Sequence, residues 1–255
     1  MSANLVRADA EGGVLTITIN RPEQRNAINR DVAVELAAAL DRLDADPDLA
    51  VGLLTGEGGT FSAGMDLKAF ATGQTPVLPG RGLGGLTRAT VRKPLIAAVE
   101  GWALGGGFEL ALACDLIVAA GNATFGFPEV KRGLIAGEGG VLRLPHRVPH
   151  HVALRLLLTG DPITAVEAER FGLIAELAPP AGALGAARAL AERVAGNAPL
   201  ALAAVKQVIR ETQGLADAEA FVRQDEIGAG LLTSEDAREG ALAFAEKRAP
   251  VWRGR

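Results

Sequence analysis

The stretch GWALGGGFELALACD, residues 101–115, directly follows the apolar run PLIAAVE at 94–100. A run of four to eight apolar residues bounded by glycine is typical of a buried strand. From Phe108 onward, the apolar residues favour a helix that is buried nearly all round. We therefore predict a strand, a tight turn and a helix, with the three glycines of the turn at the helix N-terminus. The free backbone N–H groups at such a terminus can stabilise an oxygen atom that gains negative charge.

Two glutamates come from separate junctions between a loop and a helix. Glu109 falls in the first turn of the predicted helix, where stabilising the helix dipole would by itself account for a carboxylate. Glu129 follows Pro128 in FGFPEVKRGLIAGEGG, residues 125–140, and precedes a second glycine-rich turn. Paired carboxylates beside oriented N–H donors are what a proton transfer next to a polarised carbonyl requires. The pattern therefore indicates an acid–base pair.

The composition indicates a globular protein with a sizeable core. Hydrophobic residues make up 49% of the 255 residues and charged residues 22%, which excludes a disordered chain. The formal net charge of −4 gives no electrostatic basis for nucleic-acid binding. The single cysteine, Cys114, lies in an apolar run and is expected to be a buried packing residue. We find no leader pattern and no membrane span, and we expect a cytoplasmic protein without a membrane partner.

Strands and helices alternate through the first half of the chain. Residues 14–20 and 51–56 read as strands, and 115–120 as a further buried strand. Between the first two, Asn29 is a plausible N-cap of a helix whose leucines repeat at helical spacing. This alternation predicts parallel strands joined by right-handed crossovers and hence an α/β fold.

The segment 71–93 and the second half of the chain have different patterns. Residues 71–93 are rich in Gly, Pro and Thr, and we predict a mobile surface loop over the cleft. Their glycines follow no predicted strand, which argues against a dinucleotide-binding turn. Beyond residue 141 the sequence becomes helical. Thr164 and Glu167 form a capping-box pattern, and helices are predicted at 152–160, 183–196, 199–213, 216–231 and after Ser234.

Four motifs occur in the order seen in the crotonase, or enoyl-CoA hydratase/isomerase, superfamily. They are RPEQRNAIN (21–29), FSAGMDL (61–67) and the two segments that carry the glutamates. The resemblance extends over essentially the whole chain and is specific because all four motifs are present together. It implies a spiral core of ββα repeats at residues 1–194 and a C-terminal helical region at 195–255 for trimerisation. A homotrimer or a dimer of trimers is therefore expected.

The resemblance also implies the substrate and the roles of the site residues. The substrate is an acyl-CoA thioester, so coenzyme A is part of the substrate and no separate cofactor or metal is expected. The backbone N–H groups of Ala63 and Gly106 form the oxyanion hole. Glu109 and Glu129 hold a water molecule as an acid–base pair. Substrate contacts are implied at Arg25, Ala27, Ala63, Gly64, Met65, Asp66, Leu67, Gly105, Gly106, Pro128 and Gly137.

Retention of both glutamates favours addition of water to a trans-2-enoyl-CoA. A carnitinyl-CoA dehydratase-like activity and an enoyl-CoA isomerase are the alternatives, and a non-catalytic acyl-CoA-binding protein is a third. Two residues depart from the hydratase pattern, because Ala136 stands where a proline is common and Glu138 where many hydratases have a small residue. We expect Glu138 to be a solvated turn acid; the alternative is a third acid that moves the reaction toward isomerisation.

Two other kinds of enzyme find little support in the sequence. A nucleophilic hydrolase would need an activated serine, but Ser62 has no obvious base and the Gly-x-Ser-x-Gly pattern is absent. A metal enzyme would need a third ligand beside His150 and His151, which are adjacent and point to different faces of a helix.

Overall fold

The computed structural model describes residues 4–255; residues 1–3, the start of the predicted 1–194 unit, lie outside this range. The strands of the described chain are β1 (Val6–Glu11), β2 (Val14–Ile19), β3 (Val51–Gly56), β4 (Val77–Leu78), β5 (Gly82–Leu83), β6 (Leu95–Val99), β7 (Trp102–Leu104), β8 (Leu116–Ala120), β9 (Thr124–Gly126), β10 (Ile163–Thr164) and β11 (Glu176–Ala178). The helices are α1 (Arg30–Ala45), α2 (Leu67–Ala71), α3 (Gly106–Ala113), α4 (Gly140–Arg143), α5 (His150–Thr159), α6 (Ala165–Arg170), α7 (Ala183–Ala195), α8 (Pro199–Thr212), α9 (Asp217–Leu232) and α10 (Glu235–Glu246).

The main sheet has six strands in the order β1-β2-β3-β6-β8-β11. Strands β1 and β2 form an antiparallel hairpin, and every other neighbouring pair is parallel. A second sheet places β9 between β7 and β10, and an isolated bridge joins Ser62 to Ala103 of β7. Because α3 leaves from the end of β7 and β9 leads to Glu129, this second sheet brings the two glutamate segments together.

Helices cover both faces of the main sheet. On one face, Leu36, Leu40 and Leu43 of α1 are almost fully buried in the larger core. On the other face, Ala187 and Ala191 of α7 pack against the side chains of the central strands. Burial on both sides explains why all six residues of β2 are buried despite their alternating sequence.

The predicted elements are confirmed with small differences at their ends. The strands predicted at 14–20, 51–56 and 115–120 are β2, β3 and β8. Asn29 caps α1 by accepting a hydrogen bond from the N–H of Val32 at 3.0 Å. Thr164 and Glu167 form the predicted capping box of α6. Strands β1, β4, β5, β7, β9, β10 and β11 were not predicted.

The prediction of a mobile surface loop at 71–93 was wrong for its central part. Strands β4 and β5 form a short antiparallel hairpin, and residues 82–87 are all buried. Leu83 and Leu86 belong to the larger hydrophobic core. The segment carries no detectable periodicity because its strands are only two residues long, so the sequence pattern could not reveal that it is packed.

Polar contacts join the C-terminal region to the rest of the chain. The ammonium of Lys206 on α8 lies 2.6 Å from the carboxylate of Asp115 and 2.6 Å from the carbonyl oxygen of Lys93. Near the C-terminus, the indole N–H of Trp252 donates to the carbonyl of Gly196 at 2.7 Å. The division at residue 195 and the trimer contacts stay predictions. Within residues 4–255, none of the helices has the length and apolar character needed to cross a bilayer.

Candidate active site

Glu109 is a buried acid with one fixed carboxylate oxygen. Helix α3 begins at Gly106 after Gly105, whose φ of 53° is suited to glycine, and it places Glu109 in its first turn. The residue is only 3% exposed. Its Oε1 accepts hydrogen bonds from the backbone N–H of Glu138 at 2.7 Å and of Gly140 at 2.9 Å. These two hydrogen bonds orient the carboxyl group through Oε1 and do not involve Oε2.

Burial raises the pKa of Glu109 to about 7. The hydrogen bonds from Gly140 and Glu138 oppose this change by stabilising the charged form, while the negative charges of Glu129 and Glu138 add to it. A carboxyl group with a pKa near neutrality can both accept and release a proton at physiological pH. Its environment therefore makes Glu109 a candidate acid–base residue.

Glu129 has a buried carboxylate oxygen that no described residue satisfies. Pro128 begins a short 3-10 turn at Pro128–Arg132, and Glu129 lies in its first turn. Among residues 4–255, nothing donates a hydrogen bond to the buried Oε2 of Glu129. Burial is also the main cause that raises the pKa of this carboxyl. Buried polar atoms are nearly always paired, so this oxygen is a candidate contact for a bound molecule.

Two free backbone donors lie close together beside these acids. Met65 and Ile28 form an isolated parallel bridge. In this bridge the backbone N–H and carbonyl of Ile28 make hydrogen bonds to the residues on either side of Met65, and none to Met65 itself. The N–H of Met65 therefore points away from Ile28, and within residues 4–255 it has no hydrogen-bond acceptor. Gly106 opens α3, so its N–H also lacks a helical partner. A Cβ built on Gly106 would lie 3.4 Å from the nitrogen of Met65, which shows how near the two donors are.

This geometry corrects the prediction for Ala63. The N–H of Ala63 donates to the carbonyl of Arg25 at 3.0 Å, so it is already used inside the protein. Met65, predicted only as a substrate contact, carries the donor that is free. The middle residue of this turn, Gly64, has a φ of 89° and lies against the turn of Gly106. We call the two turns, residues 63–65 and 105–107, the donor turns.

A cleft of about 310 Å³ opens in front of the donor turns. Of the predicted residues, it is lined by Arg25, Ala63, Met65, Leu67, Gly105, Gly106, Pro128 and Glu129. Four lining residues were not predicted from the sequence, namely Trp102, Leu104, Arg132 and Leu134. The guanidinium of Arg25 lies 4.8 Å from the centre of the Trp102 ring in a cation–π arrangement. A tryptophan just after the apolar run at 94–100 was the one signal for this contact in the sequence.

Four predicted substrate contacts do not line this cleft, namely Gly64 of the donor turn, Asp66, Ala27 and Gly137. Asp66 caps α2 by accepting from the N–H groups of Lys68 and Ala69, and it pairs with Arg21 at 3.1 Å. The carbonyl of Ala27 accepts from the same arginine at 2.5 Å. Gly137 lines a separate cavity of about 640 Å³ whose wall also includes Glu138 and Arg143. Asp66 and Ala27 are therefore joined to each other through Arg21 and do not line the cleft.

The expectation that Glu138 is a solvated turn acid was wrong. Its side chain is 15% exposed, and its carboxylate contacts Arg88 at 2.6 Å and the hydroxyl of Thr87 at 2.9 Å. These partners lie in the segment that was expected to be a mobile loop. Both errors have the same cause, because the acid and the segment anchor each other.

The remaining sequence candidates do not form a second site. The hydroxyl of Ser62 donates to the carbonyl of Asn26 at 2.8 Å and accepts from the N–H of Gly64 at 3.1 Å, so it shapes the donor turn. His150 and His151 lie side by side at the start of α5. Across the described residues 4–255, no three His, Cys, Asp or Glu side chains are grouped to hold a metal ion. Cys114 is buried as predicted.

We expect Glu109→Gln to stabilise the protein increasingly as the pH rises. The pKa of Glu109 is about 7 in the folded protein against 4.5 for an ordinary glutamate, so the folded state holds an extra proton between these values. The wild type therefore loses stability as the pH rises from 4.5 through 7, whereas glutamine does not titrate. The advantage of the variant in unfolding free energy should grow by about 3 kcal/mol across this range.

Thermal unfolding of both proteins from pH 4.5 to pH 8 would measure this difference. The matched control is Glu192→Gln on the exposed side of α7, which makes the same substitution away from the site. A difference between Glu109→Gln and wild type that does not change with pH would contradict the prediction.

Comparison with known proteins agrees with the fold. The sequence model of the enoyl-CoA hydratase/isomerase family matches residues 9–255. A carnitinyl-CoA dehydratase of Escherichia coli is 45% identical over 253 residues, which cover 96% of each chain. The crystal structure of an enoyl-CoA hydratase from Mycobacterium marinum has 55% identity and a TM-score of 0.97, and the match covers 99% of this chain and 100% of that chain. A carnitinyl-CoA hydratase from Mycobacterium avium has 46% identity, full coverage of both chains and a TM-score of 0.81.

These matches extend over nearly the whole length of each protein. The chain belongs to the enoyl-CoA hydratase/isomerase family and has the crotonase fold.

Proposed function

We propose that the protein is an enoyl-CoA hydratase, which adds water reversibly across the 2,3 double bond of a trans-2-enoyl-CoA. One observation carries this proposal: two buried carboxyl groups with raised pKa values lie beside a pair of free backbone donors. Hydration of a conjugated thioester needs these parts, because a proton must leave water, another must reach carbon, and the thioester oxygen becomes negative in between.

The donor turns would hold the thioester group. Its carbonyl oxygen lies between the N–H groups of Met65 and Gly106, which stabilise the negative charge of the enolate-like transition state. Each donor aimed at such a charge is typically worth about 3–4 kcal/mol. Coenzyme A is the carrier part of the substrate, and no further cofactor is required. Arg25 and Trp102, at the rim of the cleft, would contact the carrier.

Glu109 and Glu129 would share one water molecule. The free Oε2 of Glu109 accepts a proton from the water molecule as the water oxygen bonds to C3. Glu129 supplies a proton to C2. Both act from one face of the double bond, which makes the addition syn. Because the two carboxyls are electrostatically coupled, the labels acid and base belong to the pair.

A carnitinyl-CoA dehydratase-like activity is the second candidate. It is favoured by the 45% identity with the Escherichia coli protein of that name, and it would use the same two acids. An isomerase would move a double bond without adding a hydroxyl group, and retention of both acids argues against it. A non-catalytic acyl-CoA-binding protein would leave the raised pKa values of both acids without a role. We also propose a cytoplasmic homotrimer or dimer of trimers.

Absorbance at the conjugated thioester band of crotonyl-CoA tests the proposal. Loss of the band, with 3-hydroxybutyryl-CoA as the product, supports hydration. The same assay with crotonobetainyl-CoA tests the second candidate, and a 3-enoyl-CoA substrate whose band appears instead of disappearing would reveal an isomerase. Binding of CoA thioesters without turnover of any of the three would contradict the proposal.

A further inference from the structure

The carboxylate of Glu138 accepts hydrogen bonds from a segment that lies far from it in sequence. Its Oε2 accepts from the backbone N–H of Leu83 at 2.9 Å and from the hydroxyl of Thr87 at 2.9 Å. The guanidinium of Arg88 donates two further hydrogen bonds, one of them to Oε1 at 2.6 Å. Residues 82–88 therefore carry a set of donors that converge on one side chain, and we call them the anchored segment.

The backbone of the same residue holds the acid Glu109. The N–H of Glu138 donates to Oε1 of Glu109 at 2.7 Å, and the N–H of Gly140 bonds to the same oxygen. Arg143 closes the connection by donating to the carbonyls of Glu138 and Thr87. A displacement of the 137–140 turn would therefore be transmitted directly to the carboxyl of Glu109.

The anchored segment reaches the second half of the site through Leu83. A side chain methyl of Leu83 lies against the Cα of Gly106, at the place where a Cβ would otherwise stand. Leu83 is buried, whereas Arg88 at the other end of the segment has a side chain that is 60% exposed. The segment thus packs an apolar group against the Cα of Gly106 and is held to the 137–140 turn by Glu138.

We propose that Glu138 is a positioning residue, which fixes the contact of Leu83 with the Gly106 turn and the orientation of Glu109 relative to each other. This inference rests on the proposed hydratase function. Its physical basis is that a misplacement of about 1 Å at a catalytic group can cost roughly 100-fold in rate. Glu138 hydrogen-bonds to the anchored segment through its carboxylate and to Glu109 through its backbone N–H. Loss of the carboxylate therefore releases the segment from the turn that holds Glu109, while the acids and the backbone donors stay in the chain.

Activity assays on two variants test the role. Glu138→Ala removes every side-chain bond, and we expect kcat for hydration to fall about 10- to 100-fold with little change in KM. Glu138→Gln keeps an oxygen acceptor for Leu83 and Thr87, and it should restore most of kcat. The matched control is Glu100→Gln, whose carboxylate accepts from the N–H groups of Ala181 and Ala183 away from the cleft. This control should retain wild-type kinetics.

The pH profile of Glu138→Gln supplies a readout that a purely structural role would not change. Glu109 is faced by the charges of Glu129, Glu138 and Arg143, and Arg88 adjoins the network. The negative charge of Glu138 contributes to the raised pKa of Glu109, so its removal lowers that pKa. The limb of kcat/KM that reports ionisation of Glu109 should therefore move to lower pH, whereas Glu100→Gln leaves it in place.

Hydrogen exchange measured by mass spectrometry tests the connection without relying on turnover. In Glu138→Ala, amides in peptides covering both 82–88 and 137–141 should exchange faster than in wild type, and those around 181–183 should not. Faster exchange in 82–88 alone would overturn the inference, because the segment would then be uncoupled from Glu109. The exchange differences between Glu138→Ala and wild type could be as expected while the wild type hydrates no enoyl-CoA. That result would contradict the proposed function and still support the coupling. Hydration at wild-type kcat by Glu138→Ala would overturn the positioning role by itself.

Discussion

The Glu129→Gln variant should lose hydration activity by about 10²- to 10⁴-fold in kcat/KM while still binding coenzyme A thioesters. Glutamine keeps the shape of the side chain and its contact with the Gly105 turn, but it cannot release a proton to C2. The unpartnered Oε2 of Glu129 is where the wild type would meet the reacting water. Glu109→Gln should show a loss of the same order, because neither acid can carry both proton transfers.

The loss is measured from initial rates of crotonyl-CoA hydration, with binding of a non-reactive acyl-CoA followed by calorimetry. Glu23→Gln is a suitable control because Glu23 is an exposed acid in the short 3-10 turn at Pro22–Gln24, close in sequence to Arg25 of the cleft. The double variant Glu109→Gln/Glu129→Gln should be little slower than either single variant if the two acids act as one unit. A multiplicative loss in the double variant would contradict the shared water molecule.

The regular elements of the fold were predictable because each signal lies within a short window of sequence. Asn29 precedes a helix with leucines at helical spacing, and Thr164 stands three residues before Glu167, so the sequence shows both helix starts directly. The buried central strands were predicted from their apolar runs. Strands of two or three residues were missed because they carry no period and are stabilised only by their neighbours.

The candidate site was predictable in its side chains but not in its backbone donors. Glu109 and Glu129 could be found because both follow glycine or proline signals of a turn. In FSAGMDL, two partners distant in sequence determine which backbone N–H is free. Ile28 forms a bridge with Met65, and the carbonyl of Arg25 accepts a hydrogen bond from the N–H of Ala63. No local pattern reports such a pairing.

The surroundings of Glu138 were unpredictable for a related reason. Its partners, Leu83, Thr87 and Arg88, are about fifty residues away in sequence. The isolated acid in a glycine-rich turn was therefore indistinguishable from a solvated one. Long-range hydrogen bonds to side chains become visible only when the tertiary structure is known.

Gly64→Ala should lower kcat by about 10²- to 10³-fold, the loss typical of removing one donor to a developing oxyanion. A Cβ at this position would lie 2.7 Å from the carbonyl oxygen of Leu104 and 2.8 Å from the nitrogen of Gly106. Both neighbours are backbone atoms, so one of the donor turns must move to make room. Any such movement separates the N–H of Met65 from that of Gly106, which must reach the same oxygen atom.

The control for this variant is Gly73→Ala, which separates backbone strain from the contact with the donor turns. Gly64 has a φ of 89° and Gly73 a φ of 85°, so alanine suffers a similar conformational penalty of about 1–2 kcal/mol at either position. Nothing lies within 4 Å of a Cβ at Gly73. Gly73→Ala should therefore show the thermal destabilisation of the backbone strain alone and Gly64→Ala a larger one, whereas kcat should fall only for Gly64→Ala. Equal kcat in the two variants would contradict the prediction. The reaction would then not depend on the N–H groups of Met65 and Gly106 reaching the same oxygen atom.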